Sequence, residues 1–143
     1  YVGVYRYSYA TSVSKARKEA KAIVEALDGR KLDYPIVMDM EDSSILQSTS
    51  NAKRTDMILA FKEVVEDAGY KFALYANKTW LDNYIDTGRL GNTHIWMARW
   101  RDLEKGHGYS NGGTLTMWQY SNKGSVKGIS GTVDLDVSYK KYQ

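Results

Sequence analysis

The stretch YPIVMDMED, residues 34–42, decides how the rest of the chain is read. After Pro35 it runs apolar without a break, which suits a strand buried on both faces, as in a parallel sheet. Side chains two apart on a strand share a face, so Asp39 and Glu41 point the same way, with Cβ atoms roughly 7 Å apart from two rises of ~3.3 Å. Both stand at the C-terminal end of the strand, where α/β sheets and barrels place their sites.

On the N-terminal side, YVGVYRYSY (residues 1–9) alternates and is rich in β-formers, which predicts a strand. A helix follows: Val13, Ala16, Ala20, Ile23, Val24 and Leu27 recur at three- and four-residue spacing, Thr11 or Ser12 caps the start, and Asp28-Gly29 ends it. Lys15, Arg17, Lys18 and Lys21 form its solvated face.

On the C-terminal side, the polar stretch from Asp42 to Lys53, with four serines, reads as a loop. Residues 51–67 carry Met57, Ile58, Phe61, Val64 and Val65 at helical spacing, with Gly69 as the stop. KFALYAN (71–77) is a short strand, KTWLDNYI (78–85) a short helix and HIWMARW (94–100) another strand. This β-α-β-α-β-α-β order is the signature of parallel strands with crossover helices. The pattern then breaks, because seven of the 12 glycines lie between Gly106 and Gly131. LTMWQYS and TVDLDVSY read as antiparallel strands joined by turns. About six strands and three helices fall short of a regular eight-fold barrel of ~250 residues. No linker or repeat divides the chain, so residues 1–143 are assigned to one domain.

Twenty basic and 17 acidic side chains leave a net charge of +3 without the dense basic stripe of a nucleic-acid binder. Zero cysteines exclude a disulfide framework, thiolate metal sites and a cysteine nucleophile. No apolar run approaches the ~20 residues that span a bilayer, and no basic-then-apolar leader is seen, so no membrane partner is expected. Twelve Tyr and four Trp against two Phe suit stacking on sugars or bases, and equally an amphipathic core and rim.

Two carboxylates at the Asp39–Glu41 separation suit general acid work on a glycosidic bond, since each raises the other's proton affinity. Loop capping or a solvated edge is the plainer alternative. Asp134 and Asp136 in TVDLDVSY form a second one-face pair. If the two strands converge, the acids meet among Tyr75, Trp96, Trp100 and Trp118, a setting better suited to carbohydrate than to metal. Carboxylates do ligate Mg²⁺ or Ca²⁺, and His94 could serve a transition metal. No EF-hand pattern is present, however, and neither histidine stands at a metal-ligand spacing, so no metal is expected. No GxSxG elbow, P-loop or GxGxxG occurs, and His107 reads as a loop residue.

An ordered set of segments, GVYRYSY, PIVMDMED, FALYAN with Trp80 shortly after, IWMARW, MWQYS and GISGTVDLD, resembles the glycoside hydrolase family 25 lysozymes, the Chalaropsis-type muramidases. The resemblance covers nearly the whole chain. It implies an α/β fold, a modified (β/α) barrel with fewer helices than a regular one. It also implies cofactor-free hydrolysis of the β-1,4 bond between N-acetylmuramic acid and N-acetylglucosamine in peptidoglycan. Glu41 falls on the family's proposed general acid, Asp39 on its partner carboxylate and Asp134 on the acid of the late Val-Asp-Leu motif. Asp136 stands where relatives often carry Asn and is a hydrogen-bonding neighbour, while Tyr75, Trp100 and Trp118 lie in groove-lining segments. The implied partners are bacterial glycan strands, and the implied location is extracellular or at the cell wall. Family members open with a Gly-x-Asp-Val-Ser-like strand, which is not found before the first strand here. The chain therefore reads as the C-terminal larger part of such a domain, with an N-terminal piece as a further expected partner. The competing classes are a non-catalytic cell-wall glycan-binding module and a metal-dependent phosphodiesterase.

Overall fold

The computed structural model describes residues 1–142. Six strands alternate with helices: β1 (Val4–Tyr7), α1 (Val13–Leu27), β2 (Ile36–Asp39), α2 (Ser43–Ser48), α3 (Asn51–Asp67), β3 (Phe72–Asn77), α4 (Lys78–Asn83), β4 (His94–Ala98), β5 (Thr114–Gly124) and β6 (Val133–Ser138). They form one sheet in sequential order, parallel from β1 to β5, with β6 antiparallel to β5. The register aligns Tyr7, Asp39, Tyr75, Trp96 and Met117 in one row across five strands.

Local chemistry explains the helix ends. Ser12 caps α1 by accepting the Lys15 amide at 3.2 Å, and Asp28 (φ 47°) and Gly29 (φ 73°) turn left-handed to stop it. Ala16 and Ala20 are fully buried where α1 packs on α3, small side chains that let the two helices approach closely.

Two sequence expectations need correction. The Asp42–Lys53 stretch contains a short helix, α2, because Asp42 accepts from the Ser44 amide and Ile45 is buried, one apolar anchor among serines. β5 is parallel to β4 rather than part of a purely antiparallel region. Its crossover, residues 99–113, carries a single 3₁₀ turn (Leu103–Lys105), and Arg99 Nη1 donates to the His107 carbonyl at 3.0 Å within it.

Alternation divides the sheet into two faces. Ile36, Met38, Met40, Phe72, Leu74, Ile95, Met97 and Trp118 belong to the core built with the helices. Each such side chain contributes about 1.5–3 kcal/mol on full burial. The other face carries Val37, Ala73 and Met117 packed with Tyr34, Tyr75, Trp96 and the C-terminal Tyr142. This face is concave, since a cavity of about 380 Å³ is lined at once by Tyr5 of one edge strand and Asp136 of the other, with Trp96 and Met117 between. The sheet is thus a curled half-barrel with β1 and β6 as its edges.

Buried Arg54 (3 % exposed) ties down the helices around the strand ends. Its guanidinium donates to the Thr49 carbonyl that ends α2 at 2.5 Å, to the Tyr84 carbonyl after α4 at 2.7 Å and to Asn51 Oδ1 at 2.6 Å.

Candidate active site

At the C-terminal ends of the strands, the concave face holds a cavity of about 270 Å³. Three carboxylates reach it: Asp39 and Glu41 from β2 and the turn after it, and Asp134 from β6. Tyr5, Tyr7, Tyr75, Trp96 and Gln119 complete its wall. Of the four acids in the two pairs, three meet on this cavity, and Asp136 lines the neighbouring one of about 380 Å³.

Asp39 faces inward because Met38 and Met40 on either side are claimed by the helix-side core. It is 7 % exposed, and its Oδ1 is buried without a hydrogen-bond partner. Its backbone is fixed on both sides, with Ser8 N donating to the Asp39 carbonyl and Met40 N to the Tyr75 carbonyl, each at 2.9 Å. Burial, and next the Glu41 charge, push the Asp39 carboxyl up to about 7.

Glu41 is exposed and follows the strand, held between the anchored Met40 amide and the Asp42 cap of α2. Burial of its carboxyl and then the Asp134 charge raise its proton affinity above the ordinary glutamate range. Tyr7 donates to Asp42 Oδ2 at 3.3 Å, and its phenol is pushed up to about 12 by burial and by Asp42 and Glu41.

Asp136 accepts the Trp96 indole N–H at 2.7 Å. Burial raises its carboxyl, the Trp96 hydrogen bond opposes that, and Asp134 adds to it. Trp96 in turn packs edge-on against Tyr75, ring centroids 4.9 Å apart.

The aromatic residues separate. Tyr75 lies on the cavity wall, and Trp100 is 60 % exposed beside the strand ends, its indole N–H donated to Gln119 Oε1 at 3.0 Å. Trp118 does not reach the groove. It is 1 % exposed, points into the helix-side core and donates its N–H to the Arg99 carbonyl at 2.8 Å. The reason is parity, since Met117 and Gln119 take the inward positions of β5. Gln119 and Tyr7 were missed by the sequence reading, although alternation along MWQYS and the pairing of Tyr7 with Asp39 carry the signal.

His94 is partly buried at the opposite end of β4 with Nδ1 unpartnered, and His107 accepts the Tyr109 amide in a loop. Among the described residues, no group of three or more His, Cys, Asp or Glu has a geometry that could hold a metal ion, and no helix is long and apolar enough to cross a membrane.

The Clostridium perfringens spore cortex lytic enzyme SleM superposes with a TM-score of 0.79 at 22% identity, over 95% of this chain and 48% of its own. The autolysin LytC of Streptococcus pneumoniae, solved with a synthetic peptidoglycan ligand, gives 0.82 at 24% identity over 96% and 33%. In sequence, the uncharacterized protein YegX of Escherichia coli K12 is 28% identical over 135 residues, 94% of this chain and 47% of YegX. The chain thus spans about half the length of the YegX relatives it matches. A family model described as glycosyl hydrolases family 25 matches residues 1–129, and the chain belongs to that family.

Proposed function

We propose that this chain forms the acid-bearing face of a muramidase, cleaving the β-1,4 bond between N-acetylmuramic acid and N-acetylglucosamine in peptidoglycan. The observation that carries the reading is the meeting of Asp39, Glu41 and Asp134 on one aromatic-walled cavity, with proton affinity raised in both Asp39 and Glu41. Family membership and the peptidoglycan ligand of LytC support it.

In this reading Glu41, the exposed member, protonates the glycosidic oxygen as the bond to the anomeric carbon breaks. Asp39 and Asp134 stabilise the positive charge left on the sugar, as an oxocarbenium-like centre or a cyclic intermediate formed by the substrate's own acetamido group. Water then completes hydrolysis and Glu41 regains its proton. No cofactor enters the scheme. The working location is the cell wall or the exterior, where the net charge of +3 favours approach to an anionic wall, less so at high salt.

Further strands of the same domain would close the half-barrel between β1 and β6, and this N-terminal piece is the proposed protein partner. The same open side favours a second reading, a glycan-binding module without catalysis. Release of reducing ends from purified peptidoglycan by the full-length protein, with and without EDTA, decides. A lysozyme works in both conditions, a metal-dependent enzyme stops with the chelator, and a module never starts.

A further inference from the structure

Gln119 on β5 has no role in the catalytic scheme, yet it stands at the centre of the site. Its side chain is 4 % exposed and lines the same cavity as Asp39, Glu41 and Asp134. Two donors converge on its single amide oxygen: Tyr75 Oη at 3.1 Å and Trp100 Nε1 at 3.0 Å. An indole N–H can only donate, so the atom facing Trp100 must be the oxygen, and the amide cannot turn over without losing that bond. Both lone pairs of Oε1 are then engaged, while among the described residues Nε2 has no protein partner. An amide nitrogen with two protons to give, held in a fixed orientation by a largely buried side chain on the wall of an acidic cavity, is a poised donor.

We infer that Gln119 positions the substrate, its amide nitrogen donating to a sugar hydroxyl or N-acetyl carbonyl oxygen beside Glu41, while its oxygen holds the Tyr75 wall and the Trp100 platform in place. This rests on the muramidase reading and deepens it, because it adds a neutral amide donor to a wall otherwise made of carboxylates, phenols and an indole. A neutral donor selects an acceptor-bearing ligand such as an N-acetylated glycan. It also links recognition on the Trp100 side of the groove to the acid side, since one side chain serves both.

The test uses the full-length protein containing this chain, in the acid-null Glu41→Gln background so that binding is read without turnover. The probe is a soluble uncrosslinked glycan of alternating N-acetylglucosamine and N-acetylmuramic acid, titrated calorimetrically at high salt to screen added charge. Gln119→Glu keeps an acceptor for Tyr75 and Trp100 but removes the amide donor. It should weaken binding at least ~tenfold, the scale of one lost hydrogen bond to a buried partner, with Tm within a few degrees of the parent. Binding within ~twofold of the parent would overturn the inference, since a purely structural anchor is preserved by the glutamate. If Gln119→Glu does not fold, Gln119→Met decides: a tenfold loss with Tm retained supports the donor, whereas unchanged affinity, or loss only in step with a large Tm fall, overturns it. Absence of glycan binding by the Glu41→Gln parent, together with no reducing ends from wild type, would sink the muramidase reading itself, an outcome distinct from a binding parent that is indifferent to Gln119.

Discussion

Asp39 closes β2 and Glu41 follows it by two residues, both reaching the same cavity, yet Asp39 is 7 % exposed and Glu41 lies open at the cavity mouth. The strand pleat gives them a common direction, and the end of the β2 ladder gives them different depths. Burial is the main cause of raised proton affinity in both, and the deeper Asp39 reaches about 7. On the proposed muramidase reading, the exposed member is the one placed to hand a proton to a bulky glycan.

Replacing Glu41 by Gln removes the transferable proton while keeping size and most hydrogen bonding. Turnover of peptidoglycan by the full-length protein should fall at least ~10²-fold with Tm and glycan affinity close to wild type. Initial rates of reducing-end release check this, and near-normal turnover would take the acid's role away from Glu41.

Asp39 links stability to pH. Its carboxyl binds a proton more tightly in the folded chain, about 7 against an ordinary 3.8, so its contribution is fully present below pH ~4 and is lost as pH rises through 7. Asp39→Asn removes that titration. The variant's Tm should change less than wild type between pH 4 and 8 and exceed it at pH 8, as thermal melts across the range would show. Identical pH profiles would mean that Asp39 titrates as an ordinary carboxylate.

Trp100 and Trp118, both assigned to the groove by resemblance, should behave oppositely. Trp100→Ala removes an exposed ring and should weaken glycan binding with little loss of stability. Trp118→Ala leaves a hole in the helix-side core and should cost about 3–5 kcal/mol, with binding lost only through unfolding. Urea denaturation beside glycan titration separates the two, and a large stability loss for Trp100→Ala would withdraw it from the groove.

That contrast also shows how far the sequence could be read. Period-two alternation pairs Asp39 with Glu41 and Asp134 with Asp136, because a strand's two faces are a local property. Strand order followed from the helices between β1 and β4. Placing Trp118 required knowing which parity of β5 faces inward, and a register shift between Ile95 and Trp96 lies in the very ladder that decides it. The parallel pairing of β5 was hidden because its crossover lacks a helix, and α2 was hidden because serines mask a helix anchored by Ile45 alone. Gln119 is neutral and unremarkable in sequence. Only the convergence of Tyr75 and Trp100 on its oxygen brings it into view.

Arg54 should matter to stability well beyond its distance from the acids. Its guanidinium satisfies the carbonyls of Thr49 and Tyr84, which end α2 and follow α4, and both helices flank the strand ends bearing Glu41 and Asn77. Arg54→Met keeps the stem but strands those acceptors, which should cost about 2–4 kcal/mol. Chemical denaturation measures the loss directly, and a change below ~1 kcal/mol would show that water replaces the guanidinium freely.

Asp136→Asn should be mild. The Trp96 indole N–H needs only an acceptor, and the carboxamide oxygen of asparagine offers one at the same distance from the backbone. The substitution also removes a negative charge close to Asp134, so turnover should stay within about threefold of wild type. Asp136→Leu, by contrast, leaves that indole N–H unpaired and should destabilise the fold by about 1–3 kcal/mol. Peptidoglycan turnover and melting of the two variants, measured side by side, distinguish an acceptor from a catalytic charge. If Asp136→Asn lost as much activity as Glu41→Gln, the late carboxylate at the chemistry would be Asp136, and Asp134 would take over the supporting place on β6.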